Sequence, residues 1–429
     1  MIKRFDIRRY GAKEGGKILC TRAIQTAVAE AGKCGGEVYV PDGVFLTGAL
    51  FLESGMSLYL EEGAVLLGIN SEDEYPVVSG RVAGIEMDWP AAVINVRNAS
   101  NVRISGPGII DGQGEYWWKK YWGDNRKGGM RESYEKKGLR WAVDYDCFRV
   151  RNVIVLNSEN VRLEEFHSKR SGFWNIHICY SRGITVRGVQ ISENTGPSTD
   201  GIDVDSCSHV LIEECVISCN DDNICVKSGR DADGLRVAKV CENVTIQNCT
   251  LYEGEGITLG SETSGGIRNI RISNNKYFGT KNGFRIKSAK TRGGVIEDIM
   301  VENLDMLNVA RPFAFQFNWY PEYSCCEIPP DYEGEIPEHW KKLVEKVSAV
   351  QGIPCARNIT VKQVTAAIQK TFDGESEAFC IEGLAERPFE NLVFEKIKIE
   401  AQEFGKITGV NGIRFHHVEY GTRDEKSKM

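Results

Sequence analysis

Three aspartates precede two short strand-like segments near the middle of the chain. Asp200 precedes the segment GIDVDS, and Asp221 and Asp222 precede the segment NICVKS. If the two segments occupy equivalent places in neighbouring turns of a stacked structure, the aspartates lie about 4.8 Å apart. Carboxylates at that spacing repel one another, so one is expected to keep its proton to a higher pH while another stays ionised. Such a pairing of an acid with a base is what glycosidic cleavage requires.

Two later segments repeat the same pattern and extend the alignment. They are EGEGITLGS and TKNGFRIKS, and each has the same alternation of apolar residues and the same final serine. In this register Glu255 joins Asp200 and Asp222 in the column that precedes the strands. The outward-facing columns contain Asp203, Cys225, Thr258 and Arg285, and then Asp205, Lys227, Gly260 and Lys287. We therefore expect a stack of three acids with cationic side chains at the same patch.

Aspartates are also common in turns, where the side chain accepts hydrogen bonds from the backbone. We favour that structural role for Asp203 or Asp205 taken alone. It does not explain three stacked acids with a further aspartate beside them, because solvated turns gain nothing from aligned like charges. We therefore interpret Asp200, Asp221 and Asp222 as catalytic residues.

A repeated phrase predicts the scaffold that positions these residues. From about residue 100 the phrase recurs as NVRISG, NVRLEEF, NVTIQNC, NIRISNN and NITVKQV. Most steps between phrases are about 23 to 34 residues, which is typical of a stacked repeat architecture. Helical runs between the units are absent. We predict an all-β fold, a single-stranded parallel β-helix in which each turn adds one strand to several parallel sheets, with stacked Asn side chains between turns.

The chain is predicted to form one β-helix domain, residues 1–429, with a cap at its start. Residues 1–48 form the cap region, in which TRAIQTAVAEAG is a short capping helix. Two gaps in the repeat, at 112–147 and 319–352, predict loop insertions over the cleft. The insertions contain Trp117, Trp118, Trp122, Trp141, Trp319, Tyr320, Tyr323 and Trp340. These aromatic residues either form small cores for the loops or offer stacking platforms for sugars.

The composition excludes several classes of function. The net charge of -7 argues against nucleic acid as a partner, because nucleic-acid binding needs a basic surface. The sequence has no run of about 18 apolar residues and no apolar N-terminal stretch, so we expect no membrane span, no signal peptide and a cytoplasmic location. The 14 cysteines include no CxxC pair, which favours buried reduced thiols over a zinc site. We predict no cofactor and no bound metal.

Motifs across most of the chain resemble those of a known family. The segments FDIRRYGA, ISGPGIIDGQG and GFRIKS, together with the aspartates, are similar to the polygalacturonase family, glycoside hydrolase family 28. Residues 198–200 match the family's Asn-Thr-Asp motif with Ser198 in place of the Asn, 221–222 match its Asp-Asp motif, and 285–287 match its Arg-Ile-Lys motif. The resemblance implies a right-handed parallel β-helix that hydrolyses pectic oligosaccharides and inverts the configuration of the anomeric carbon.

The resemblance also implies a role for each site residue. Asp221 would be the general acid, while Asp200 and Asp222 would hold and deprotonate the attacking water. Arg285 and Lys287 would bind a sugar carboxylate. Inverting enzymes separate acid and base by roughly 6.5–9.5 Å, so the resemblance predicts such a gap here.

One motif of the family is missing. Where the family has Gly-His-Gly, the chain reads Glu253-Gly254-Glu255-Gly256. Glu255 takes the place of the histidine in the alignment above, whereas a one-residue gap would put Gly254 there. A carboxylate at this place would raise the pKa of neighbouring acids and could receive a sugar hydroxyl. The departure leaves open another terminal sugar, such as rhamnose or a substituted galacturonide.

Two further residues complete the predicted substrate-binding set of Glu255, Arg285 and Lys287. They are Lys227, in an outward-facing column, and His177, which lies on an earlier turn and could approach the cleft from the side. We predict an exo-acting, polygalacturonase-like hydrolase whose partner is a pectic oligosaccharide. Two other classes stay open. One is a calcium-dependent enzyme like the pectate lyases, which are also parallel β-helices, and the other is an inactive carbohydrate-binding β-helix.

Overall fold

Two large sheets of parallel strands run along the computed structural model, which describes residues 2–422. The site sheet, as the smaller one is called here, has eleven strands whose spatial order is also their order in the chain. Its strands are Leu50–Leu52, Ile94–Arg97, Val153–Leu156, Ile176–Cys179, Ile202–Asp205, Ile224–Lys227, Ile257–Leu259, Asn282–Lys287, Arg311–Gln316, Glu377–Glu382 and Glu403–Thr408. All neighbours in it pair in parallel.

The larger scaffold sheet has 21 strands and supplies the rest of each turn. Its strands are Arg4–Asp6, Glu37–Val40, Gly43–Thr47, Ser57–Leu60, Ala64–Gly68, Arg103–Ser105, Ile109–Asp111, Arg162–Glu164, His167–Lys169, Arg182–Arg187, Gln190–Asn194, Ser208–Glu213, Val216–Cys219, Cys241–Gln247, Thr250–Leu251, Ile267–Ser273, Lys276–Phe278, Val295–Leu307, Cys355–Ala367, Phe389–Glu400 and Val410–Gly421. Together the two sheets form the right-handed parallel β-helix that was predicted.

Alternate side chains of the site sheet fill the interior of the β-helix. Ile202 pairs with Ile224, and Ile257 pairs with both Ile224 and Phe284. All four are 0% exposed and belong to the main hydrophobic core. This register is the one predicted from the apolar pairs and the final serines. The residues between them, such as Asp203, therefore point away from the core toward the outer face of the site sheet.

Asparagine side chains connect neighbouring turns of the scaffold. Among the asparagines that begin the repeated phrase, the Nδ2 of Asn269 donates to Oδ1 of Asn243 at 2.5 Å, and the Nδ2 of Asn391 donates to Oδ1 of Asn358 at 2.9 Å. The φ angles of these residues lie between 52° and 56°, in the left-handed region that Asn tolerates better than most residues. The predicted stacking of Asn side chains is therefore confirmed.

The helix Thr21–Gly32 packs on the first turns of the β-helix. Its apolar face is buried in the same core as the strands and consists of Ile24, Ala27, Val28 and Ala31. The Oγ1 of Thr21 accepts a hydrogen bond of 2.7 Å from the N–H of Gly48, which fixes the start of the helix to the strand that follows. The helix shields the first strands, which would otherwise offer an open edge.

A hairpin and two helical insertions lie against the outer face of the site sheet. The hairpin is Val77–Val82 with Ile85–Pro90. The insertions contain the helices Glu115–Trp122, Met130–Glu135, Val143–Asp146, Pro321–Ser324, Glu338–Val344 and Ala349–Gly352, and a ribbon of Gly123–Asp124 with Lys127–Gly128. The remaining short elements are the helix Asp231–Val237 and the 3-10 helices Ile7–Tyr10 and Glu72–Glu74. Within residues 2–422, no helix is long and apolar enough to span a membrane.

Most aromatic residues of the insertions form a second core outside the β-helix. Trp141 and Trp340 pack edge to face with ring centroids 5.2 Å apart, and Trp89 of the hairpin joins the same cluster. The predicted role as small loop cores therefore holds for these residues. Trp319 and Tyr320 are only partly buried and border the pocket described below.

Candidate active site

The three aspartates meet at the start of two adjoining strands of the site sheet. Asp200 precedes Ile202–Asp205, and Asp221 and Asp222 precede Ile224–Lys227, which pairs with it in parallel. One carboxylate oxygen from each aspartate lies within 4.8 Å of one oxygen of each of the others. The structure thus brings the three predicted residues together, while their catalytic roles stay predictions.

This spacing is shorter than the gap of roughly 6.5–9.5 Å expected of an inverting enzyme. The reason is the register, because neighbouring strands lie only about 4.8 Å apart. One water with hydrogen bonds of about 2.7 Å to two carboxylate oxygens still fits between oxygens up to about 5.4 Å apart. The predicted gap is therefore wrong for these oxygen atoms, but the arrangement retains room to hold one water.

Asp222 is held ionised by cations from a later turn. The Nζ of Lys287 lies 2.7 Å from Asp222 Oδ2, and the hydroxyl of Thr258 donates to Oδ1 at 2.6 Å. Arg285 lies 3.7 Å from the same Oδ1. Burial alone would raise the pKa of Asp222, but the nearby cations, Lys287 first, outweigh it and lower the pKa to about 2. Asp222 is therefore anionic at neutral pH.

The pKa values of the other two aspartates are raised. Burial is the main cause for both of them, and the charge of Asp221 adds to it for Asp200. The charge of Asp222 is the next cause for Asp221. The surroundings therefore push the pKa values of the three acids apart, so that a proton is retained beside an ionised carboxylate. A protonated Asp221 is the state that a general acid needs.

Lys227 lies in the wall of the same site and is almost fully buried. Its Nζ lies 3.7 Å from Asp200 Oδ2 and 3.4 Å from Asp203 Oδ1. It also lies 3.3 Å from Glu262 Oε2 and 4.6 Å from the ring centroid of Trp174. Lys227 thus contacts acids of the turns before and after its own, which places it at the site but among carboxylates.

Glu255 occupies the predicted place in the sequence register, and its charge helps to raise the pKa of Asp221. The pairing of Ile224 with Ile257 puts Glu255, and not Gly254, in the column of Asp222. Its carboxylate accepts hydrogen bonds from three side chains, those of Lys281 at 2.6 Å, Asn282 at 2.8 Å and Arg285 at 2.9 Å. The prediction of three stacked acids is therefore wrong for Glu255. Its carboxylate is attracted to these three donors, whereas stacking would place it beside other negative charges.

His177 lies where it cannot contact a substrate. Its side chain is 0% exposed, and Trp174 covers it edge to face with ring centroids 4.9 Å apart. The Nε2 lies 3.8 Å from Asp205 Oδ2, and burial lowers the pKa of His177 to about 4. A neutral, covered imidazole cannot reach a sugar from this place, so the prediction that it binds substrate is wrong for this structure.

Within residues 2–422, two groups of side chains have the geometry of metal ligands, and neither suits a cation well. His177, Cys179 and Asp205 come together, but the guanidinium of Arg81 already pairs with Asp205 at 3.1 Å. The three catalytic candidates form the other group, and two lysines pair with its members at 2.7 and 3.7 Å. A divalent cation would meet those ammonium groups at close range, so the calcium-dependent alternative is disfavoured on electrostatic grounds.

A pocket of about 130 Å³ opens over the aspartates. Its wall includes Asp200 and Asp221 of the β-helix and Ala83 at the tip of the hairpin. Both insertions contribute further side chains, namely Arg140, Asp144, Trp319, Tyr320 and Tyr323. The two insertions therefore contribute side chains to this pocket. The remaining lining residues are Phe173, Trp174, Ser198, Lys227, Ser261, Glu262 and Lys287.

Several lining residues were not predicted from the sequence. Glu262 comes directly after the last serine of its repeat, so extending each segment by one residue would have found it. Trp174 and Arg140 lie outside the aligned segments, and no spacing in the sequence points to them. The faces of two tryptophans are occupied, since Lys227 lies over Trp174 and Lys287 lies 4.6 Å from the ring centroid of Trp319. A lysine ammonium therefore occupies one face of each of these two rings.

Comparisons with known proteins agree with the fold. The family model described as Glycosyl hydrolases family 28 matches residues 78–331. A Vitis vinifera protein named a probable polygalacturonase is 33% identical over 381 residues, which cover 82% of this chain and 73% of that protein. The chain belongs to family 28 of the glycosyl hydrolases and is a glycoside hydrolase.

Two further relatives carry more specific names. The exo-poly-alpha-D-galacturonosidase of Dickeya chrysanthemi is 28% identical over 340 residues, 72% of this chain and 56% of that protein. The crystal structure of an exopolygalacturonase from Thermotoga maritima has a TM-score of 0.78 and 27% identity, and the match covers 97% of this chain and 93% of that one. The similarity therefore extends over nearly the whole β-helix.

Proposed function

We propose that the protein hydrolyses pectic oligosaccharides and releases one terminal galacturonate at a time. The observation that carries the proposal is the small pocket, whose wall combines two of the aspartates with side chains of both insertions. Its volume of about 130 Å³ is well below the roughly 300–1,000 Å³ typical of sites for larger ligands. A pocket of this size suits one sugar at a chain end better than a continuous chain. The names of the relatives support galacturonate as that sugar.

The three aspartates divide the reaction between them. Asp221 donates its proton to the glycosidic oxygen, so that the bond to the leaving sugar breaks. Asp200, assisted by the anionic Asp222, takes a proton from the water that attacks the anomeric carbon from the opposite side. The product sugar therefore has the inverted configuration, and the starting state returns when Asp200 releases the proton it gained to solvent and Asp221 takes one up from solvent. Lys287 keeps Asp222 charged throughout.

A second candidate substrate follows from Glu255. The carboxylate of Glu255 neutralises Arg285, which would otherwise offer its charge to a sugar carboxylate. Lys281 is bound by the same carboxylate. This part of the site is therefore less cationic than its Arg and Lys residues suggest, which favours a substrate that carries a neutral sugar, such as rhamnose, beside the scissile bond. Glu255→Gln should then raise the relative rate on purely galacturonate substrates.

A panel of pectic oligosaccharides tests the proposal. The set contains galacturonate oligomers of increasing length, oligomers that alternate with rhamnose, and substituted galacturonides, each labelled at the reducing end. Release of single sugars from the unlabelled end, detected by mass, is the expected result. Internal cleavage would contradict the exo-acting part of the proposal. A product lighter by one water would indicate a lyase, and binding without products would indicate an inactive carbohydrate-binding protein. The cytoplasmic location stays a prediction.

A further inference from the structure

The ammonium group of Lys227 faces carboxylates of the protein. It lies at ion-pair distance from those of Asp200, Asp203 and Glu262. The ring of Trp174 covers a further side at 4.6 Å. The Lys227 side chain is 5% exposed although it borders the pocket. Its contacts thus lie within the protein, which is the pattern of a residue that acts through its neighbours.

We propose that Lys227 is a positioning residue whose charge favours the ionised form of Asp200, so that Asp200 can accept the proton of the attacking water. The inference rests on the proposed function, since it assigns a role within the same reaction. A carboxylate as buried as Asp200 loses the solvation that stabilises its charge, and a cation at ion-pair distance restores part of that stabilisation. This role differs from the predicted one, in which Lys227 binds the sugar itself.

Among the charged residues near Asp200, Lys227 is the one that favours its ionised form. Asp221 and Asp222 approach from the following turn, and Asp203 lies on the strand that Asp200 precedes. All three oppose ionisation of Asp200. Within residues 2–422, Lys227 is the cation at ion-pair distance from Asp200, because Lys287 pairs with Asp222.

The protonation of Asp203 affects how strongly Lys227 stabilises the other acids around it. It is fully buried, and neither of its carboxylate oxygens has a hydrogen-bond partner within residues 2–422. Burial raises the pKa of Asp203 to about 7, so Asp203 carries a proton for much of the time near neutral pH. A protonated Asp203 no longer competes with Asp200 for the charge of Lys227. Removing the charge of Asp203 should therefore favour an ionised Asp200.

The test measures the pKa of Asp200 directly. Aspartate labelled with carbon-13 at its side-chain carboxyl is incorporated, and the signal of Asp200 is assigned by its loss in Asp200→Asn. In Lys227→Met, which keeps the length and apolar stem of the side chain, the pKa of Asp200 should rise by about one unit or more relative to wild type. An unchanged pKa would overturn the proposal. This readout does not depend on turnover, so it stays informative even if the proposed reaction is wrong.

A charge-balanced variant serves as the matched control. Lys227→Met with Asp203→Asn removes one cation and one acid together, so the pKa of Asp200 should return toward its wild-type value. In kinetics, the acidic limb of kcat/KM should move to higher pH in Lys227→Met and back in the double variant. A rise in KM alone, without movement of either the limb or the carbon-13 titration, would show that Lys227 binds substrate and would contradict the proposal.

Discussion

Lys287 and Asp222 form a buried ion pair in which Nζ lies 2.7 Å from Oδ2. The lysine side chain is 5% exposed and the aspartate 0%. The two residues come from turns that lie two apart, so the ammonium reaches along the outer face of the site sheet, past Thr258, to the acid. The pair keeps one of the three aspartates charged, and the other acids of the site titrate against that fixed charge.

Replacing Lys287 by Met should impair both activity and stability. Loss of one partner of a buried ion pair leaves an uncompensated charge, which costs about 3–5 kcal/mol of the free energy of unfolding. The pKa of Asp222 should rise, and kcat should fall by about tenfold or more because Asp222 no longer assists the water as an anion. Urea unfolding and initial rates measure the two effects. Lys290→Met, which removes an exposed pair with Glu386, is the control and should change neither by much.

The pH dependence of stability should reveal the same pair. The pKa of Asp222 is lowered from 3.8 to about 2 in the folded protein, so its charge stabilises the fold above pH 3.8. That contribution, about 2 kcal/mol by linkage, is lost as the pH falls through about 2. The difference in free energy of unfolding between wild type and Asp222→Asn should therefore shrink between pH 4.5 and pH 2. A difference that stays constant over this range would contradict the assigned pKa.

Asp221→Asn and Asp200→Asn should each abolish hydrolysis and spare binding. The amide cannot donate the proton of a general acid or accept that of a water, so rates should fall by about 100-fold to 10,000-fold. Affinity for an oligosaccharide, measured by calorimetry, should change little. Asp124→Asn is the control, because Asp124 is 77% exposed in the first insertion. Undiminished turnover in either site variant would remove that residue from the reaction.

Truncation of the stacked core should destabilise the β-helix. Ile224 is 0% exposed and pairs with Ile202 and Ile257 on the two adjoining turns. Ile224→Ala should lower the free energy of unfolding by about 2–5 kcal/mol, since a cavity remains where the side chain was. Val216→Ala should cost much less, because Val216 is 41% exposed. Equal losses in the two variants would show that the interior does not supply the stability.

The register of the site could be predicted because strands have a period of two. A slip of one residue would turn Ile202 and Val204 outward, so the apolar pairs determine which aspartates share a column. The direction of a side chain beyond the backbone could not be predicted in the same way. Glu255 has the predicted place but turns toward Lys281 and Arg285, because a flexible side chain follows the nearest opposite charge.

The repeat pattern could not predict which side chains cover the site. The gaps in the pattern indicated where the insertions begin and end, but a repeat carries no information about how irregular segments pack on the sheet. Arg140 and Trp174 enter the pocket through such packing. Trp174 also explains why the prediction that His177 binds substrate is wrong. The indole covers the imidazole that the register had placed beside the cleft.

The configuration of the first product tests the reaction at the three aspartates most directly. An α-linked galacturonate trimer is incubated with the wild-type protein, and proton NMR spectra are recorded before the free sugar equilibrates. Inversion by Asp221 and Asp200 predicts that the β-anomer of galacturonate appears first and that the α-anomer grows in later. Initial release of the α-anomer, or formation of an unsaturated product, would contradict the mechanism.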